Sequence, residues 1–152
     1  MFLYGTLRKN ESHHDLIGPW LVDTVPASIW GRLYHVPAGY PALEIPEEHI
    51  VAPGSGSPDA DAERARRSPA PRLEPIDGDW GWVAGDLVTL STANASLPPI
   101  DAYEDFHPGR VSLFKRVLTP VWVTATSATL AWVYISASKP EGPRLRDGAW
   151  PP

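Results

Sequence analysis

The sequence predicts an α+β fold, a small mixed and mainly antiparallel β-barrel with short helices at its rim. Three observations carry this expectation. Eighteen prolines in 152 residues disfavour a helical bundle, because proline lacks an N–H and clashes inside a helix. Seven tryptophans and many β-branched residues fit the pleated, half-buried surface of a sheet. Several segments alternate apolar with small or polar residues, whereas helical patterns are few and short.

The elements follow in order. Phe2 to Leu7 reads as an apolar strand running into a Gly-Thr turn, starting so near Met1 that the terminus is expected to belong to the working structure, with no leader. Asn10 to Gly18 suits one or two helical turns stopped by Gly18. Ser28 to Val36 alternates as a half-buried strand, and Trp80 to Leu90 does the same, with Gly85 expected at a bulge. Ser96 to Phe106 reads as a short helix capped by Ser96, with Pro98 and Pro99 in its first turn. Leu113 to Thr124 and Ala128 to Ser136 are strands joined by an Ala125-Thr126-Ser127 hairpin turn.

One domain is expected over residues 1–138. Within it, about 53–75 is rich in Pro, Gly, Ser and charge, too poor in large apolar residues to offset ordering entropy, and is expected to be an exposed, flexible insertion. Residues 139–152 form an expected extended, Pro-rich tail that Trp150 pins to the body.

Composition narrows the function classes. A net charge of -5 with no Lys/Arg block argues against a nucleic-acid surface. The absence of cysteine excludes thiolate catalysis, disulfides and Cys-based zinc sites. No apolar run approaches the roughly 18 residues a membrane span needs, so no membrane partner is expected and a cytoplasmic location is the default.

Two stretches carry candidate chemistry. In Tyr4-Gly5-Thr6-Leu7, a glycine open to unusual backbone conformations lets successive N–H groups converge on an anion or oxyanion. Downstream, Ile100, Tyr103 and Glu104 stand at i, i+3 and i+4 and share a helix face. An inward Glu104 would lose hydration, and its pKa would rise toward the range of a neutral-pH general acid or base. The other reading is a surface glutamate, or one paired with Arg110 or Arg116; the residues alone leave both open. Asp101 and Asp105 fall on a different face and read as solvated or capping.

Metal sites find little support. The adjacent His13 and His14 point to different faces and have no third ligand at a recognisable spacing. Asp59, Asp61 and Glu63 lack the glycine and the distal glutamate of a calcium loop and read as solvated charges.

The motif order is Tyr4-Gly5-Thr6-Leu7, Gly31-Arg32-Leu33-Tyr34, Gly39-Tyr40-Pro41-Ala42-Leu43, Val83-Ala84-Gly85-Asp86-Leu87, Ile100-Asp101-Ala102-Tyr103-Glu104, Phe114-Lys115-Arg116 and Ala131-Trp132-Val133-Tyr134. This order resembles the gamma-glutamylcyclotransferase-like superfamily, in particular its AIG2-like and gamma-glutamylamine cyclotransferase-like members. The resemblance implies a barrel with a cavity at one end and a small-molecule γ-glutamyl substrate. It assigns Tyr4, Gly5, Thr6 and Leu7 to the glutamyl moiety, the catalytic carboxylate to Glu104, and Tyr40 and Tyr134 to the substrate cavity. The implied reaction closes a γ-glutamyl amine or peptide to 5-oxoproline and the free amine, with no metal or cofactor.

Two departures stand out. Usual members carry Gly where this chain has Asp105, whose charge is expected to raise the Glu104 pKa further. Their Tyr-x-Arg is Phe114-Lys115-Arg116 here. The insertion would lie beside the mouth as a lid or an idle loop. A non-catalytic small-molecule binding domain and an interaction module built on the insertion are the alternatives.

Overall fold

Ala27, Ile29, Gly31 and Leu33 are buried while Ser28, Trp30, Arg32 and Tyr34 face outward, and this period-2 pattern makes β2 (Leu21–His35) the spine of the sheet. In the computed structural model, which describes residues 1–69 and 76–151, β2 pairs along most of its length with β5 (Gly81–Leu90). Its far end carries β3 (Pro41–Glu44) and β8 (Arg144–Leu145), and it meets β6 (Phe114–Thr124) at Ser28↔Trp122. β6 forms a long hairpin with β7 (Ser127–Ser136) and also pairs with β4 (Ala52–Pro53). β1 (Phe2–Leu3) closes the other margin through Phe2↔Leu87 and Leu3↔Asp86. All these pairings are antiparallel, and the sheet curls into a half-barrel with α1 (Pro58–Arg67) and α2 (Ala93–Tyr103) beside it.

The curl encloses one core cluster around Phe2, Ile29, Leu33, Leu43, Val83, Val121 and Val133. A second, around Leu3, Leu7, Ile17, Ile100, Phe106 and Tyr134, joins α2 to the sheet. The mainly antiparallel α+β expectation therefore holds. Among the described residues, no helix is long and apolar enough to cross a membrane.

Several details differ. β1 is only two residues long, and the chain bends at Gly5. The Asn10–Gly18 region holds 3₁₀ turns at His14–Leu16 and Gly18–Trp20, so Gly18 opens the second turn instead of ending a helix. Gly85 is no bulge: its register with Ala27 is unbroken. A Cβ there would stand 2.3 Å from the Leu3 carbonyl oxygen and 2.5 Å from the Phe2 ring, so closeness of β1 is what requires glycine. α2 starts after Thr92, which leaves Ser96 buried inside the helix and Pro98 and Pro99 beyond its first turn.

Part of the expected insertion has regular structure. Residues 58–67 form α1, with Pro58 at its start, Asp59 and Asp61 in the first turn, and Arg64, Arg66 and Arg67 in the last. Those positions complement the helix dipole, and Glu63 pairs with Arg66 and Arg67. Asp61, expected to be solvated, is buried. The remainder of that expectation, over residues 70–75, lies outside the described residues. The tail is also more than an extended strap, since β8 joins the sheet and Trp150 packs into the core cluster.

Candidate active site

β1 delivers Tyr4 to the core and the chain then turns back. Its Gly5 carbonyl accepts from Arg8 N at 3.0 Å, its Thr6 carbonyl from His13 N at 3.0 Å, and the Leu7 carbonyl lies 3.0 Å from His14 Nδ1. Arg8 Nε reaches Asp86 Oδ2 at 3.0 Å and ties the turn to β5. The carbonyls are thus engaged from behind, while the N–H groups of Gly5, Thr6 and Leu7 donate no backbone hydrogen bond among the described residues. Gly5 does not need a left-handed conformation, contrary to the sequence reading. It is required by proximity, because a Cβ would meet Pro41 Cγ at 2.6 Å.

Glu104 arrives from the other side at the C-terminal end of α2. Fully buried Ile100 roots the inner face of the helix, and the Glu104 N–H closes the last turn on the Ile100 carbonyl at 2.9 Å. Asp105 then adopts φ +48, the left-handed conformation in which helices commonly end. Glycine is favoured there, and aspartate is among the few side chains that tolerate it. The Asp105 carboxylate lies 2.8 Å from His107 Nε2 and accepts from Leu113 N at 3.2 Å, so it serves the following loop. The expected effect of Asp105 on Glu104 is corrected accordingly: the neighbouring charge that raises Glu104 is Asp101.

These segments meet around a cavity of about 210 Å³. Tyr4, Gly5, Thr6, Leu7, Tyr40, Glu104 and Tyr134 all line it, together with Tyr103 and Phe114. Burial, with a smaller contribution from Asp101, pushes the Glu104 carboxyl up to about 7. Among the described residues no ion pair involves Glu104; Arg116, one suggested partner, is committed to Asp61 and Asp101. The Tyr4 hydroxyl donates to the Tyr134 carbonyl at 2.9 Å, and Thr6 Oγ1 and the Tyr103 hydroxyl are 2.8 Å apart. The Tyr40 ring stands edge-on to Phe114, centroids 6.0 Å apart. Burial raises both the Tyr4 and Tyr134 phenols well above their usual range, so they remain protonated donors at neutral pH.

Asp101 is not the solvated or capping residue its periodicity suggested. Arg116 Nη1 contacts its two carboxylate oxygens at 2.9 and 3.0 Å, and the Tyr134 hydroxyl donates to Oδ1 at 2.6 Å. Sequence reading missed this cluster. The available clue was Arg116 itself, which alternates in register with Phe114 and Leu118 on the buried face of β6 and so requires a buried anion. Among the described residues, no group of three or more His, Asp and Glu side chains is placed to hold a metal ion.

Residues 1–55 and 56–152 match the model of a family described as "Gamma-glutamyl cyclotransferase, AIG2-like". No curated protein matches the chain. Among solved structures, that of YkqA from Bacillus subtilis is similar, with a TM-score of 0.59 at 18% identity over 99% of this chain. The chain spans 38% of the YkqA chain, and at that identity the likeness is one of fold.

Proposed function

Because this chain belongs to the AIG2-like gamma-glutamyl cyclotransferase family, we propose that it cyclises a γ-glutamyl amine or peptide to 5-oxoproline and the free amine, with Glu104 as general acid and base. The observation that carries this reading is a carboxyl, pushed up to about 7 by burial, that shares one cavity with Tyr4–Leu7, where the Gly5, Thr6 and Leu7 N–H groups donate no backbone hydrogen bond among the described residues.

The chemistry follows from those parts. Ionised Glu104 takes a proton from the substrate's α-ammonium, and the freed amine attacks the γ-carbonyl carbon of the same residue. A carbon–nitrogen bond forms and negative charge moves onto the carbonyl oxygen. N–H groups of the turn hold that oxyanion or the α-carboxylate in the low-dielectric cavity. Protonated Glu104 gives its proton to the departing nitrogen, the amide bond breaks, and the second proton lost by the ring nitrogen completes the released ammonium. A pKa of about 7 suits both halves, since each form is well populated at neutral pH. Nucleophile and electrophile belong to one molecule, so the site mainly folds the substrate and moves protons.

The test is a panel of γ-glutamyl amines and dipeptides with 5-oxoproline release as readout. Glu104→Gln is expected to lower kcat by about 10²–10⁴-fold, the usual span for loss of a general acid–base group. Full activity in that variant removes Glu104 from the mechanism. Binding of a panel member without release by the wild type replaces the enzyme with a non-catalytic binding domain.

A further inference from the structure

α1 has almost nothing apolar to bury. Its residues are mainly charged or alanine, and Ala65 alone packs on the small Leu118–Trp132 cluster. The helix is attached instead through Asp61, which is 3% exposed. The Asp61 carboxylate receives Ser55 N at 2.8 Å, Ser55 Oγ at 2.8 Å and Arg116 Nη2 at 2.6 Å, while its carbonyl receives Trp132 Nε1 at 3.1 Å.

Arg116 is completely buried between the Phe106 and Trp132 rings. Its second arm, Nη1, is spread over both oxygens of Asp101. Asp101 already balances the guanidinium, so a second buried carboxylate adds desolvation cost without being needed for neutrality. What Asp61 adds is geometry. A planar fork gripped at both arms has one orientation, and that orientation keeps Nη1 square on Asp101. Asp101 in turn receives the Tyr134 hydroxyl and lies one helical turn before Glu104.

We propose that Asp61 is a positioning residue for the reaction at Glu104: α1, docked through Asp61, holds the Arg116 fork on Asp101, and Asp101 holds Tyr134 at the cavity wall. α1 itself does not line the cavity and acts on it through Arg116 and Asp101. The assignment rests on Glu104 being the reacting carboxylate. The groups facing that carboxylate are Asp101 and Tyr103 from α2, Tyr4 from the turn after β1 and Tyr134 from β7, with Arg116 of β6 reaching it through Asp101.

The test reads Glu104 directly, by ¹³C NMR titration of its labelled carboxyl in the full chain without substrate. Asp61→Asn keeps the shape and removes one negative charge from the cluster, so the Glu104 midpoint should fall by about 0.5–1 pH unit. Asp61→Glu, which restores the charge, should return most of that shift. If Asp61→Asn does not fold, Ala62→Pro breaks α1 outside the sheet, takes Asp61 away from Arg116 and should shift the midpoint by a comparable amount. A folded variant of either kind whose Glu104 midpoint stays within 0.2 unit of wild type overturns the proposal, by an order-of-magnitude criterion of roughly 0.3 kcal/mol. Because no turnover is measured, a wild-type chain that cyclises nothing would remove the proposed function and leave this result standing.

Discussion

Burial of the Glu104 carboxyl has consequences for both rate and stability, and they run in opposite directions with pH. The group moves from an ordinary 4.5 to about 7 on folding. Between those values the folded chain holds a proton that the unfolded chain has lost, so the stability linked to this group is fully present below about 4.5 and gone above about 7. Glu104→Gln removes the buried charge. Its melting temperature should exceed that of wild type by roughly 2–6 °C at pH 8, with little difference at pH 4, measured by calorimetry at both. The rate needs the ionised form to begin the reaction. The acid limb of kcat/KM should therefore have its midpoint at about pH 7, two units or more above that of an exposed glutamate. The shared helical face of Ile100 and Glu104 made this residue a candidate in the sequence, and the resemblance singled it out. The choice between an inward and a paired glutamate was not legible, because pairing depends on where Arg110 and Arg116 lie in space.

At the scale of elements, the two-residue strand β1 and the turn after it depend on β5 yielding space. Gly85 provides it, and Ala at that position would drive a methyl into the Leu3 carbonyl and the Phe2 ring. Gly85→Ala should cost about 1–3 kcal/mol, seen as a fall in the urea midpoint, and should raise KM more than it lowers kcat because the Tyr4–Leu7 turn is displaced. The pattern of the strands was readable in the sequence, as apolar alternation in β2, β5, β6 and β7. The reason for Gly85 was not, since a bulge and a close approach both leave one glycine in a strand. Likewise Asp105 looked like a second charge beside Glu104, while its left-handed backbone shows a helix terminator doing the job of glycine.

At the scale of the molecule, α1, α2 and the β6–β7 hairpin converge on one buried guanidinium. Arg116→Met removes it and leaves Asp61 and Asp101 facing each other without a cation. Breaking a buried pair from one side should destabilise by about 3–5 kcal/mol at pH 7 in urea unfolding. The carboxylates of the variant then take up protons on folding, so the gap to wild type should narrow as pH falls toward 4. A gap that stays constant with pH would show that the loss is one of packing alone.

The sequence by itself determined the antiparallel α+β class and, through its resemblance, the family and seven of the residues that line the cavity, namely Tyr4, Gly5, Thr6, Leu7, Tyr40, Glu104 and Tyr134. Those follow from local periodicity and from motifs that lie in order along the chain. Only the tertiary structure decided that residues 58–67 form a docked helix, that Asp61 and Asp101 are buried partners of Arg116, and that Asp101 is the neighbour tuning Glu104. A charged segment carries no mark of which of its carboxylates will be desolvated. That choice is made by buried Arg116, 55 positions away in the chain from Asp61, and becomes visible only once β6 is folded against α1.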